Sequence, residues 1–131
     1  MSTEAAEFLA LLKLELTDLL RKAEETIQDY SRRLELQAVT EHVYFENVAL
    51  LAQEECCLKR FIEIAAQTDP QAYGEARQLA EELRQRFCAH VEKAGCAPFT
   101  ARLAEQKIQR VLRVLEALAE SRANGAAGPG S

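Results

Sequence analysis

The sequence predicts an all-α protein, an up-down-up-down four-helix bundle with short connections, on three observations. No Gly or Pro occurs between Met1 and Asp69. Helix breakers then punctuate the chain at Asp69-Pro70, at Gly95-Cys96-Ala97-Pro98 and in the Gly/Ala/Pro/Ser tail from Asn124. Between them, apolar residues recur at three- and four-residue steps, as on the buried stripe of a helix. Gly and Pro disfavour helix interiors by about 1 and 3 kcal/mol relative to Ala, so so long a gap marks uninterrupted helices.

The first helix is predicted over residues 3–36. Ser2 or Thr3 caps it, and Glu4 and Glu7 sit in the first turn, where the helix dipole favours acids. Leu9, Leu12, Leu16, Leu19, Leu20, Ala23, Ile27, Tyr30 and Leu34 form one stripe.

The second helix is predicted over residues 40–67. No breaker separates it from the first, yet its apolar arc is rotated by roughly 120° when residues are laid at 100° steps. A continuous rod would change buried faces abruptly at Gln37-Ala38-Val39-Thr40, so a tight turn is expected there, with Thr40 as cap.

The third helix is predicted over residues 70–94, started by Asp69 at the cap and Pro70 at the first helical position. Its core face is Tyr73, Ala76, Leu79, Ala80, Leu83, Phe87 and Val91. Gly95 fits the left-handed stop position, with Cys96 folding back on Val91. The fourth helix, residues 98–122, starts at Pro98 and buries Ala104, Ile108, Val111, Leu112, Val114, Leu115 and Leu118. Residues 1–123 thus form a single domain, and 124–131 read as a flexible tail.

Composition narrows the function classes. The 131 residues carry a net charge of −5, whereas nucleic-acid binding calls for a dense basic field. Apolar runs such as residues 48–52 fall far short of the roughly 20 residues of a membrane span. The acidic start, Ser2-Thr3-Glu4, shows no secretory pattern. Cys56, Cys57, Cys88 and Cys96 therefore read as reduced thiols of a cytoplasmic protein. By span, the first two helices each sum to −3, the third to zero and the fourth to +2, which favours the fourth helix beside the acidic first.

Four polar residues fall inside apolar arcs: Asn47, Glu54, Glu55 and His90. A carboxylate on a core face costs several kcal/mol unless paired or coordinated. One account is an interface. Val43, Tyr44, Phe45, Val48, Leu50, Leu51, Leu58, Phe61 and Ile62 spread around much of the second helix, more than one core covers. A homodimer or partner contact through Tyr44, Val48, Leu51, Leu58, Phe61 and Ile62 would cover them. Asn47 and Glu54 then set register or pair with Arg84, Arg86, Arg110 or Arg113, and His90 is a hydrogen-bonded core histidine.

The other account is a mononuclear metal or small-ligand site with Glu54, Glu55 and His90 as candidate ligands, joined by a thiol. It departs from di-iron bundles, which carry Glu-x-x-His on two helices; neither His42 nor His90 has a Glu three residues before it. Zinc through Cys88, His90 and Cys96 is disfavoured, because residues two apart on a helix point about 200° apart. His42 and Glu46 read as a solvated pair. No glycine-rich phosphate loop, nucleophile elbow or His-Glu-x-x-His motif occurs.

The expectation is a non-enzymatic cytoplasmic bundle without cofactor, acting through self-association or partner-helix binding by the second helix, with no nucleic acid or membrane involved. The ligand-binding bundle and a small acidic export or assembly chaperone are the alternatives.

Overall fold

The structure, a computed structural model, describes residues 3–126. It comprises α1 (Glu4–Glu35), α2 (Glu41–Gln67), a single 3₁₀ turn (Pro70–Ala72), α3 (Ala76–Ala94) and α4 (Pro98–Ala126). No strand occurs among the described residues. Side-chain pairs fix the topology. Ser31 meets Tyr44, Phe61 meets Phe87, Arg84 meets Glu105, and Glu15 and Glu7 meet Lys107 and Arg122. Numbers rise in one partner as they fall in the other, so successive helices are antiparallel and α4 returns beside α1.

The turns follow from local chemistry. At the end of α1, Gln37 takes φ 57°. Ala38 N–H then donates to Arg33 carbonyl at 2.8 Å and Gln37 N–H to Leu34 carbonyl at 3.0 Å, a Schellman ending built without glycine. Thr40 Oγ1 accepts from Val43 N–H at 3.2 Å and starts α2. The expected turn at residues 37–40 is in place.

Gly95, at φ 68°, ends α3. Its N–H and that of Cys96 both reach the Val91 carbonyl, at 2.9 and 3.2 Å. Cys96 is thereby turned back over the last turn of α3.

The third helix begins later than residue 70. Asp69 Oδ1 accepts from Gln71 N–H at 2.9 Å, and Pro70 occupies a first helical position, but the helix lasts one 3₁₀ turn. Tyr73 is extended, the chain bends at Gly74, and α3 restarts from Glu75. The start signal at Asp69-Pro70 is satisfied by that single turn. At the other end, α4 continues past residue 122 through Ala126, so residues 124–126 are helical and the remainder of the predicted tail lies outside the described residues.

The core is one cluster drawn from all four helices, with Phe8, Leu12 and Leu16 of α1, Leu58 and Phe61 of α2, Leu79 and Leu83 of α3 and Ile108 of α4 almost fully buried. Burying each such side chain stabilises by about 1.5–3 kcal/mol. Buried Thr68 donates to Ile64 carbonyl at 2.7 Å and accepts from Arg86 at 3.0 Å. The basic fourth helix does pair with the acidic first: Glu15 faces Lys107 and Arg110 at 3.2 and 3.4 Å. Val114 and Leu118, expected in the core, are instead exposed.

Candidate functional site

Two places gather three of the four polar residues that the pattern left unexplained, Asn47 and Glu54 in one and His90 in the other. One is an apolar basin where the start of α4 meets the α1–α2 hairpin. Thr26 and Tyr30 of α1, Asn47, Leu50, Leu51 and Glu54 of α2, and Ala97, Phe99 and Thr100 line a cavity of about 400 Å³. Val43, Asn47, Leu50 and Glu54 stand three and four residues apart, so they share one face of α2. Leu50 is 64 % and Phe99 55 % exposed, which leaves a leucine and a phenylalanine facing solvent at the same basin.

Asn47 and Glu54 are brought together here, on the rim of the bundle rather than in its centre. The Asn47 amide donates to the Val43 carbonyl at 2.8 Å, which ties the side chain to its own helix. Glu54 is half-buried, and burial pushes its carboxyl above the usual carboxylate range. Glu55 lies on another side of α2 and pairs with Lys59 at 2.8 Å. Three of the four arginines expected to neutralise these residues pair elsewhere. Arg84 holds Glu105 through Nε at 2.8 and 3.0 Å, Arg86 binds Glu82 and Thr68, and Arg110 faces Glu15.

The six residues expected at an interface divide. Leu58 and Phe61 are fully buried in the core, and Ile62 packs against it; their apolar surface serves the bundle itself. Tyr44, Val48 and Leu51 are half-buried, Tyr44 with its hydroxyl 3.4 Å from Ser31 Oγ. The uncovered surface of α2 falls instead on Val43, Phe45 and Leu50, with Phe45 edge-on to Tyr44. Phe99 was missed by pattern reading, since a single aromatic in a first helical turn carries no periodic signal.

The second place is a thiol–imidazole cluster. Cys57 of α2, His90 of α3 and Cys96 of the α3–α4 turn place one ligand atom each within 4.8 Å of the others. Cys57 is buried, His90 and Cys96 half-buried. His90 stands edge-on to Phe61, with ring centroids 6.1 Å apart. Burial, and then the neighbouring Cys96 thiol, push the Cys57 thiol well above its ordinary range. A cavity of about 430 Å³ opens onto all three, with Ala52, Gln53, Cys56 and Arg60 among its walls.

His90 thus meets thiols, while Glu54 opens on the other cavity and Glu55 pairs with Lys59. All four cysteines are free. Cys88 lies apart, exposed in the groove between α3 and α4 beside Arg84 and Arg102. The helical argument that separates Cys88 from His90 holds, and Cys57 takes the place considered for it. His42 and Glu46, 3.0 Å apart, are a solvent-facing pair.

No helix among the described residues is long and apolar enough to cross a membrane. Compared with family models, curated proteins and solved structures, the chain matches none.

Proposed function

We propose that this chain is a non-enzymatic, cytoplasmic partner-binding bundle whose docking face is the apolar basin between α2 and the first turn of α4. The observation that carries this reading is the joint exposure of Leu50 and Phe99 on one cavity. Covering what remains exposed of each gains about 1–2 kcal/mol, roughly half to two-thirds of the figure for full burial. Contiguous exposed apolar surface with a polar rim is characteristic of interaction sites.

Charge favours one occupant. Residues 24–55 hold eight acidic residues against two arginines. On the basin itself the charged lining residue is Glu54, and a second copy would bring it and the surplus acid of the hairpin toward their like, at an electrostatic cost. An amphipathic helix with basic flanks, laying apolar anchors into the basin with a cation near Glu54, fits both chemistry and shape.

The test uses two labelled model helices with the same apolar face, one flanked by Lys and Arg, the other by Glu. Fluorescence anisotropy should show the basic helix binding at least about tenfold tighter, a difference of about 1.4 kcal/mol. Leu50→Asp and Phe99→Asp should each abolish binding, while Leu14→Asp, at an exposed leucine away from the basin, should not. Equal binding of both helices, or full binding by Leu50→Asp, overturns the proposal. A parent dimer in native mass spectrometry that Leu50→Asp converts to monomer would assign the basin to self-association instead.

A further inference from the structure

We propose that Cys57, His90 and Cys96 form a zinc-binding site, with the fourth coordination position left to water from the adjoining cavity. The inference is independent of partner docking, since it rests on different residues around a different cavity.

Three separate elements supply the donors, and each is fixed by something other than a metal. Cys57 is held by the core side of α2, next to Leu58 and one turn before Phe61. His90 is held on α3 by its edge-on contact with Phe61, itself stacked on Phe87 with ring centroids 4.4 Å apart. Cys96 is placed by Gly95, whose positive φ returns the chain over Val91. The convergence is therefore built by tertiary packing and a helix cap, with no help from local sequence spacing.

The donor set selects the ion. Two thiolates and an imidazole suit zinc, and three protein ligands plus a solvent position is one of its established arrangements. Tetrahedral zinc, with bonds of about 2.3 Å to sulfur and 2.0–2.1 Å to nitrogen, sets its ligand atoms about 3.6–3.8 Å apart. The three donors lie within 4.8 Å of one another, so closure asks for shifts of about 1 Å. Rotation of the Cys96 side chain about its cap-anchored backbone supplies most of that movement without disturbing a helix.

Charge balances as well. Zn²⁺ binding releases the two thiol protons to solvent, leaving a neutral unit of one dication, two thiolates and one neutral imidazole. A neutral unit suits a site that the apolar side of α2 partly encloses. The fourth position opens on the cavity that Gln53 and Arg60 border, where water or a small anion has access. Cys56 lines that cavity too but diverges from Cys57 by about 100° around the helix.

The experiment uses the full chain, reduced and stripped of metal, titrated with Co²⁺ and then Zn²⁺. One equivalent of Co²⁺ should give thiolate charge-transfer absorption and the intense visible bands of a tetrahedral ion, and Zn²⁺ should bleach both. His90→Ala and Cys96→Ser, both at half-buried positions, should weaken Zn²⁺ binding at least about 100-fold, at or beyond the upper end of second-shell effects. Cys88→Ser should leave affinity unchanged. Cys57 is in the core, so Cys57→Ser is read only if its circular dichroism matches the parent.

A second readout does not depend on variants. Relative to the metal-free protein, Zn²⁺ should slow iodoacetamide alkylation of half-buried Cys96 but not of exposed Cys88 in mapped peptides. Absence of the charge-transfer band, retained affinity in His90→Ala and Cys96→Ser, or Cys96 alkylation that Zn²⁺ leaves unchanged would each overturn the site. A Cys57–Cys96 disulfide in freshly isolated, metal-free protein would do the same. If Cys56→Ser costs as much affinity as Cys96→Ser, the open fourth position is wrong.

Discussion

Phe61 of α2 lies flat against Phe87 of α3, ring centroids 4.4 Å apart and planes 24° from parallel. Aromatic stacking of this kind adds about 0.5–1.5 kcal/mol beyond area burial. It also sets the register of α2 on α3, which decides what stands opposite Cys57.

Phe61→Ala should therefore cost about 3–5 kcal/mol of stability, the range for large-to-small changes at a fully buried aromatic. Urea denaturation followed by circular dichroism measures it. A loss below about 1 kcal/mol would mean the two helices hold their register without the stack.

Gln37 sits at φ 57°, a conformation that costs a non-glycine residue about 1–2 kcal/mol. Gln37→Gly relieves that strain but frees the unfolded backbone, so the net gain should be up to about 1 kcal/mol. A rise in thermal midpoint supports the cap geometry; a fall shows that residue 37 is not left-handed in solution.

Gly95→Ala carries the opposite sign. A Cβ there would meet nothing within 4 Å, so the penalty is backbone strain alone, about 1 kcal/mol. Because the same φ places Cys96, the variant should also bind Zn²⁺ more weakly than the parent, which the cobalt competition reads. Unchanged stability with unchanged affinity would show that the α3–α4 turn does not depend on this conformation.

Glu54 gives a dependence on pH. Burial raises its folded-state carboxyl above the ordinary value, so the native state binds this proton more readily than the unfolded chain does. The group then subtracts from stability as pH climbs from the unfolded value through the raised folded one, and the deficit is fully present above both. Glu54→Gln should be more stable than the parent near pH 7, with the difference vanishing near pH 4. The same variant should bind a basic helix less well. Matching denaturation midpoints for the two proteins near pH 7 would contradict the assigned environment.

The elements were largely legible because their signals are local. The turn at residues 37–40 followed from a shift of apolar phase and a capping threonine, and Gly95 followed from its position after the last periodic residue. The start of α3 was misplaced because Asp69-Pro70 launches a 3₁₀ turn as readily as a long helix, and Gly74 supplies the break that ends it. The thiol–imidazole cluster was not legible. Its spacing, 57 to 90 to 96, has meaning only once α2 and α3 are antiparallel with Phe61 opposite Phe87. Two of its three members, His90 and Cys96, were nonetheless weighed together, with Cys88 in the place that Cys57 takes. The basin was half legible: excess apolar surface on the second helix was apparent, but half of the residues chosen to carry it belong to the core.

The α1–α2 hairpin outruns its neighbours. Beyond Tyr30 and Asn47, which line one cavity with the first turn of α4, α1 and α2 each extend about one and a half turns further to an end closed by Gln37 and Thr40. A two-helix end has fewer apolar contacts to lose than the four-layered centre, so it opens at a lower free energy than the whole domain. Amide hydrogens of residues 34–46 should exchange through this local fraying, well ahead of those near Leu58 or Leu83. The docking face runs into that breathing end through Val43, so a partner that covers Leu50 should slow exchange there as well as at the basin.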